Sequence, residues 1–340
     1  MHNFYSDTQT LPTMAMRETA LTAKVGDEQS DADPTTTELC ERVAELLGKE
    51  QAVFLPSGTM CNEIAIAVHC RPGDEIICER VSHIITAEGG GPAALAGTMM
   101  NPIDGENGTF TPDQARAAMR PESRYHPRSR LLSVEQTVNL AGGIVWPLSQ
   151  LHAVAEAAKA QGLATHMDGA RLMNAVVASG VPAAEHAKCY DTVWIDFTKG
   201  LGAPIGAALA GSSTFIAEAW RLKQRMGGAM RQSGIAAAMC LYALDHNIQR
   251  MANDHKLAAH VAEQIAAMPM VERVLPAHTN IVIFDIKSNG PDATEVAAAL
   301  RQDDIRIGAF GPRRIRIVTH LDVDETSGTA LVATLAKHLD

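Results

Sequence analysis

No apolar run among the 340 residues reaches the eighteen or so that crossing a bilayer requires, so a membrane-spanning protein is not expected. The first residues, Met1-His2-Asn3-Phe4-Tyr5-Ser6-Asp7, lack the basic start and apolar stretch of a secretion signal. A basic excess is missing too: 29 Lys and Arg stand against 39 Asp and Glu, a formal charge of −10. General nucleic-acid binding needs a cationic face and is not expected, whereas a small anionic ligand needs only a few local arginines. The six cysteines (Cys40, Cys61, Cys70, Cys78, Cys189, Cys240) show no CxxC pairing and no companion histidine cluster. Neither a disulfide framework nor a metal site is expected from them, and scattered thiols fit a reducing cytoplasm. There is no internal repeat, low-complexity segment or long linker, and no G-x-G-x-x-G of a dinucleotide site follows the first strand-like runs.

What is present is an ordinary globular composition, 46% hydrophobic and 20% charged, at a length that suits two domains or one with an appendage. Ser30 to Leu47 reads as a helix, with Asp33 as cap, Pro34 in the first turn, Leu39, Val43, Leu46 and Leu47 on one face and Gly48 as its end. A strand, Gln51–Leu55, breaks at Pro56-Ser57-Gly58-Thr59 into a helix over Met60–Val68. Further strands are expected at Glu75–Cys78, Leu131–Val134, Leu163–Met167, Val193–Phe197 and Ile205–Ala210, and helices at Pro112–Met119 and Leu148–Ala160. Short apolar strands separated by helices indicate βαβ units and a mainly parallel sheet covered on both faces. The short loop before Ile205–Ala210 suits one antiparallel pairing. After about residue 245 the rhythm changes: helix Asp254–Ala267, strand Asn280–Ile286, helix Ala293–Leu300, strand Arg314–Val318 and helix Glu325–His338 suggest a small α/β domain.

Four features carry chemistry when taken together. Ser57-Gly58-Thr59 lies between a strand and a helix, where free N–H groups bind phosphate, although such a turn equally serves as a plain cap. Asp168-Gly169-Ala170-Arg171 follows the strand Leu163–Met167, where open α/β sheets bind ligands. An acid there would keep a pyridine nitrogen protonated; it equally caps a helix beside a salt-bridged arginine. Lys199 follows Val193–Phe197 and precedes Gly200-Leu201-Gly202, a placement suited to an imine-forming amine, though a lone lysine is more often a surface charge. His83 precedes the run Glu88-Gly89-Gly90-Gly91, where an imidazole can stack on a flat ring or act structurally. Phosphate cup, pyridinium partner, imine lysine and stacking group occur in the order used by fold-type I pyridoxal 5′-phosphate enzymes.

On these residues the chain resembles the L-threonine aldolases of the β-eliminating lyase group. The resemblance runs from Ser6-Asp7-Thr8 through Pro34-Thr35-Thr36, Phe54-Leu55-Pro56-Ser57-Gly58-Thr59, His83, His166-Met167-Asp168-Gly169-Ala170-Arg171 and Thr198-Lys199-Gly200-Leu201-Gly202. It continues through Gly227-Gly228-Ala229-Met230-Arg231-Gln232-Ser233-Gly234 to Arg316-Ile317-Val318-Thr319-His320-Leu321-Asp322. It implies an α/β fold of fold type I, with a large domain (1–245) around a mainly parallel seven-stranded sheet and a small C-terminal domain (246–340). Residues 1–15 would reach into the active site. It further implies pyridoxal 5′-phosphate as a Schiff base on Lys199, Asp168 at the ring nitrogen, Gly58 and Thr59 at the phosphate and His83 on the ring. Arg231 would reach the phosphate, from its own or a neighbouring subunit. Ser6, Arg171 and Arg316 would bind the substrate α-carboxylate, and His83, His126 or a water held between them would serve as base for the substrate hydroxyl.

The implied reaction is retro-aldol cleavage of L-threonine, L-allo-threonine or phenylserine-like substrates to glycine and an aldehyde. A cytoplasmic homotetramer built from dimers, with no metal, nucleic-acid or membrane partner, is expected. Departures from the family pattern fall at Gln29-Ser30-Asp31-Ala32-Asp33-Pro34, where a Tyr-Gly-Asp-Asp-Pro is common. Two more fall at Ile84-Ile85-Thr86-Ala87 after His83 and at Gln224. They bear on which side chain is preferred. The alternative is another fold-type I reaction such as β-elimination or amino transfer; a module that binds ligand without catalysis is the reading from a different class.

Overall fold

Helix α1 (Pro34–Leu47) shows how local chemistry sets an element in this computed structural model, which describes residues 1–339. Asp33 accepts a hydrogen bond from the Thr36 N–H, and Pro34 sits in the first turn, where its missing N–H costs nothing. Gly48 closes the helix at φ +62°, a left-handed conformation that glycine adopts without strain. Leu39, Val43 and Leu47 are fully buried on its inner face. The helix begins at Pro34 and not at Ser30, because Glu28–Ser30 forms a separate 3-10 turn that ends at Asp31 with φ 54°.

Strands β1 (Gln51–Leu55), β2 (Glu75–Glu79), β3 (Met99–Ile103), β4 (Ser129–Glu135), β5 (Ala164–Gly169), β6 (Thr192–Asp196) and β7 (Ala207–Gly211) form one sheet. Their order is β1-β7-β6-β5-β4-β2-β3. β7 runs antiparallel to both neighbours and every other pairing is parallel, so β1 and β4 to β6 all point their carboxyl ends to one edge. The chain between β6 and β7 is too short for a crossover, which forces the antiparallel return. β2, β6 and β7 are buried along their whole length, as a sheet covered on both faces demands. β3 went unanticipated: it is a half-exposed edge strand containing Pro102, and proline is tolerated at an edge.

The covering helices include α2 (Gly58–His69), α3 (Gly91–Ala96) and α4 (Gly234–His246), of which α4 packs on α1 and on Met14–Thr22. A second, four-stranded antiparallel sheet has the order β10-β11-β9-β8, from β8 (Val271–Val274), β9 (Ile281–Ile286), β10 (Gly308–Ala309) and β11 (Arg314–Val318). Helices α5 (Met251–Ala266), Ala293–Gln302 and α6 (Glu325–Leu339) complete this layer. Its core joins Leu257, Val261, Phe284, Ile317 and Leu331 with Phe4 from the other end of the sequence. Met251 still belongs to the core of the large sheet, so the two cores meet within α5. His2–Asn3 pairs in parallel with Ile305–Arg306, which carries residues 4–8 to the edge where the large sheet ends. No described helix is long and apolar enough to cross a membrane.

Candidate active site

Three neighbouring parallel strands deliver an acid each to the carboxyl edge of the sheet: Glu135 ends β4, Asp168 lies near the end of β5 and Asp196 ends β6. This edge is where open α/β sheets hold their ligands. Lys199 follows one turn later, its Nζ in an ion pair with Asp196 Oδ2. The other Asp196 oxygen accepts from the Thr198 N–H (2.8 Å) and hydroxyl (2.7 Å), which fixes the carboxylate plane. At the same edge α2 opens with Gly58 and Thr59. Ser57 Oγ accepts from the Met60 N–H (3.3 Å), and a Cβ on Gly58 would stand 2.2 Å from the Trp194 indole, so no larger residue fits there. Together these groups line a cavity of about 340 Å³, a size that suits a small ligand. Clefts of about 430 and 680 Å³ elsewhere contain none of them.

One end of the cavity is acidic. Asp168 is 3% exposed, and its carboxylate accepts from Asn62 Nδ2 (2.9 Å) and the Ala170 N–H (3.0 Å), neither of them charged. Burial pushes its pKa up. Glu135 is pushed up to about 7, by burial first and then by the charge of Asp168. Glu88 Oε1 takes hydrogen bonds from Asn62 Nδ2 and His83 Nδ1, both at 2.7 Å. The bond to Glu88 raises the pKa of His83. A cluster of buried carboxyls beside a single imidazole is short of positive charge. A protonated ring nitrogen placed against Asp168 supplies it, so the residues fit a pyridinium cofactor.

The other end is cationic. Arg171 is buried and clasped by Asp7 through Nε (2.8 Å) and Nη2 (2.7 Å), which leaves Nη1 uncommitted. Burial favours the neutral acid at Asp7, but the charge and hydrogen bonds of Arg171 overcome it and hold the carboxyl well below its usual range. Arg316, 5% exposed, has no such partner. Its Nη1 donates to Asn139 Oδ1 (2.8 Å) and its Nη2 to the Tyr5 carbonyl (3.2 Å), while the buried Nε has no acceptor. Burial, followed by repulsion from Arg171, lowers its pKa to about 10. An arginine held this way is a receptor for a carboxylate.

Residues 3–289 match the sequence pattern of the β-eliminating lyases. The chain belongs to the β-eliminating lyase family. Over 98% of its length the lyase is 38% identical to a protein of Arabidopsis thaliana named probable low-specificity L-threonine aldolase 2, of which it covers 95%. It is also 38% identical to the low specificity L-threonine aldolase of Escherichia coli K12, covering 99% of this chain and 98% of that one. Its fold matches that of Leishmania major threonine aldolase (TM-score 0.84, 20% identity, 99% of both chains). A Listeria monocytogenes protein described as a putative L-allo-threonine aldolase matches at TM-score 0.82 and 22% identity, over 99% of this chain and 96% of that one. The architecture is that of the fold-type I pyridoxal 5′-phosphate enzymes, and the lyase works with that cofactor.

Of the residues singled out in the sequence, Ser6, Gly58, Thr59, His83, Asp168, Arg171, Lys199 and Arg316 line the lyase cavity. His126 does not: it is exposed in the irregular segment between helix Pro112–Ala118 and β4. Arg231 lies outside the cavity as well, exposed and paired with Asp27 at 2.7 Å. Sequence reasoning gave no role to Asp7, Asn62, Glu88, Glu135, Asn139 or Asp196. Asp7 stood in the quoted Ser6-Asp7-Thr8 and Asp196 three residues before Lys199, which are usable signals. Nothing in the sequence marks Asn62, one turn into an apolar helix, as the bridge between Asp168 and Glu88.

Proposed function

We propose that the lyase breaks the Cα–Cβ bond of L-threonine, L-allo-threonine and related β-hydroxy-α-amino acids such as phenylserine, releasing glycine and an aldehyde. The observation that carries this reading is one cavity holding both Arg316, a buried arginine without a carboxylate partner, and His83, an imidazole with Nε2 uncommitted. The names of the relatives support it.

Lys199 would hold the cofactor through Nζ, with Asp168 at the ring nitrogen, Gly58 and Thr59 at the phosphate and His83 against the ring. Pyridoxal 5′-phosphate, when bound, supplies a sink for the electron pair released as Cα–Cβ breaks. Arg316, Nη1 of Arg171 and Ser6 bind the substrate α-carboxylate, for which the planar fork of arginine is matched. Holding that carboxylate fixes rotation about Cα and so selects which of its bonds breaks. Nε2 of His83 takes the proton of the β-hydroxyl as the aldehyde carbonyl forms. An imidazole has a suitable affinity for that proton near neutrality. Glu88, accepting at Nδ1, keeps Nε2 the basic nitrogen.

His126 and Arg231 lie outside this cavity, and we read both as groups that act across a contact between subunits. Exposed apolar side chains at Leu11, Met14, Leu21 and Ile235 support an assembly, for which a homotetramer of two dimers is the expectation. The six free cysteines support a cytoplasmic location. The test is incubation of the cofactor-loaded protein with L-threonine, L-allo-threonine, phenylserine and 3-hydroxyaspartate. Glycine and aldehyde in equal amounts are expected; pyruvate and ammonia would replace this reading with β-elimination.

A further inference from the structure

Behind His83, outside the cavity lining, two acids meet in the protein interior. Glu63 lies one residue after Asn62 on α2 and is 3% exposed; Glu88 is 8% exposed. The Glu63 carboxyl has its room because residue 91 is glycine, where a Cβ would stand 1.8 Å from Glu63 Oε1. Glu63 is within hydrogen-bonding reach of Glu88. Yet both Glu63 oxygens and Glu88 Oε2 lack any donor from the rest of the protein, while Glu88 Oε1 already serves Asn62 and His83. Two ionised carboxylates cannot satisfy one another, because each brings acceptors and no hydrogen. A single proton between them satisfies both.

We propose that Glu63 is a positioning residue for His83: it carries that proton and donates it to Glu88 Oε2, so that Glu88 stays an anion whose other oxygen holds His83 Nδ1–H. This rests on the proton-transfer role given to His83 above. Burial, and then the charge of Glu88, push the Glu63 pKa up to about 8, so the proton is held at neutral pH. The charged group facing Glu63 is Glu88. Of the helices packed against α2, α3 carries no ionisable side chain, and Ser213–Arg225 carries Glu218, Arg221, Lys223 and Arg225, none of which acts on Glu63. With the proton in place the pair carries one negative charge, the Nδ1 hydrogen stays on the ring and Nε2 is the free base. When Glu63 loses its proton to solvent, a second negative charge appears behind Glu88. Glu88 then has no donor to fix its Oε2, and the ring it holds through Nδ1–H is aimed less well at the substrate.

The prediction is a descending limb in kcat/KM near pH 8 that belongs to Glu63. In Glu63→Gln the amide donates in place of the hydroxyl and does not titrate, so this limb should vanish. In Glu63→Leu no donor remains, and kcat should fall about tenfold below that of Glu63→Gln, the size of one lost hydrogen bond to a charged group. Infrared difference spectra of the cofactor-loaded protein, wild type against Glu63→Gln, should show the carbonyl stretch of a protonated carboxyl at neutral pH, lost above about pH 8. Absence of that band, with one pH profile shared by wild type and both variants, overturns the inference and leaves the role of His83 standing. The band present while His83→Asn turns over at the wild-type rate removes the proton-transfer reading instead, and with it the positioning role of Glu63.

Discussion

Asp168 and Glu135 line one end of the cavity, with Glu88 behind His83, and Arg171 and Arg316 line the other, and the two ends respond differently to the same burial. Burial drives an acid toward its neutral form: Glu135 is pushed up to about 7, so it takes up a proton close to neutrality, and Asp168 is pushed upward. A buried arginine has no such outlet. Even lowered to about 10, Arg316 keeps its charge at neutral pH, and Arg171 keeps its own against Asp7. The acidic end is therefore adjustable by pH and by a bound cation, whereas the arginine end is a fixed receptor. A ligand with a protonated ring at one extreme and a carboxylate at the other satisfies both.

Lys199→Ala tests the acidic end most severely. The variant should lose nearly all turnover and the cofactor colour that borohydride fixes in the wild type; full activity would end the scheme. Arg316→Ala should raise KM by about a hundredfold to a thousandfold, as expected when a buried charged partner is removed. Because the arginine charge is fixed, that factor should be constant across the neutral range. A factor that varies steeply with pH there would break the distinction between the two ends. His83→Asn should slow kcat by roughly a hundredfold. The wild-type acid limb should lie above the ordinary imidazole value, because the Glu88 bond raises His83, and it should disappear in the variant. A limb that survives belongs to another group.

The smallest expected effect is on stability. Asp7→Asn leaves Arg171 buried without a counter-charge and should cost about 3 kcal/mol in urea unfolding. The folded-state pKa of Asp7 lies below its unfolded value, so its contribution is complete above the ordinary aspartate pKa and fades as pH falls through the folded value. The difference between variant and wild type should be flat at neutral pH and shrink below about pH 4. A difference that grows with acidity would show that Asp7 is not held as an anion.

Six of the seven strands of the large sheet were legible because each is a short apolar run bounded by turn residues, and Gln51–Leu55 was bounded as observed; the half-exposed edge strand β3 was not. α4 was not legible: Gly234-Ile235-Ala236-Ala237-Ala238-Met239-Cys240-Leu241 is apolar all round and shows no stripe of period 3.6, since it packs on several sides. The same split holds in the site. Lys199 and Asp168 stood out because each follows an apolar strand, and both line the cavity. Glu63 and Glu88 did not, because glutamates near a helix read as solvated until the fold buries them. Arg171 was expected to meet the substrate, but the depth of its engagement with Asp7 depends on a contact spanning 164 positions.

The Phe4 N–H donates to the Arg306 carbonyl, the Phe4 carbonyl accepts from the Val318 N–H, and the Tyr5 carbonyl accepts from Arg316, 311 positions away. On a ribosome, residues 2–7 emerge long before those partners exist. The large sheet can close around its own core during translation, but the segment that carries Ser6 and Thr8 to the cavity wall is fully fastened only once Ile305–Arg306 and β11 have been made. A nascent or truncated chain lacking β11 would carry Lys199 at the end of a formed sheet without the clasp that completes the carboxylate receptor. Competence to turn over substrate would thus arrive only with the last few dozen residues.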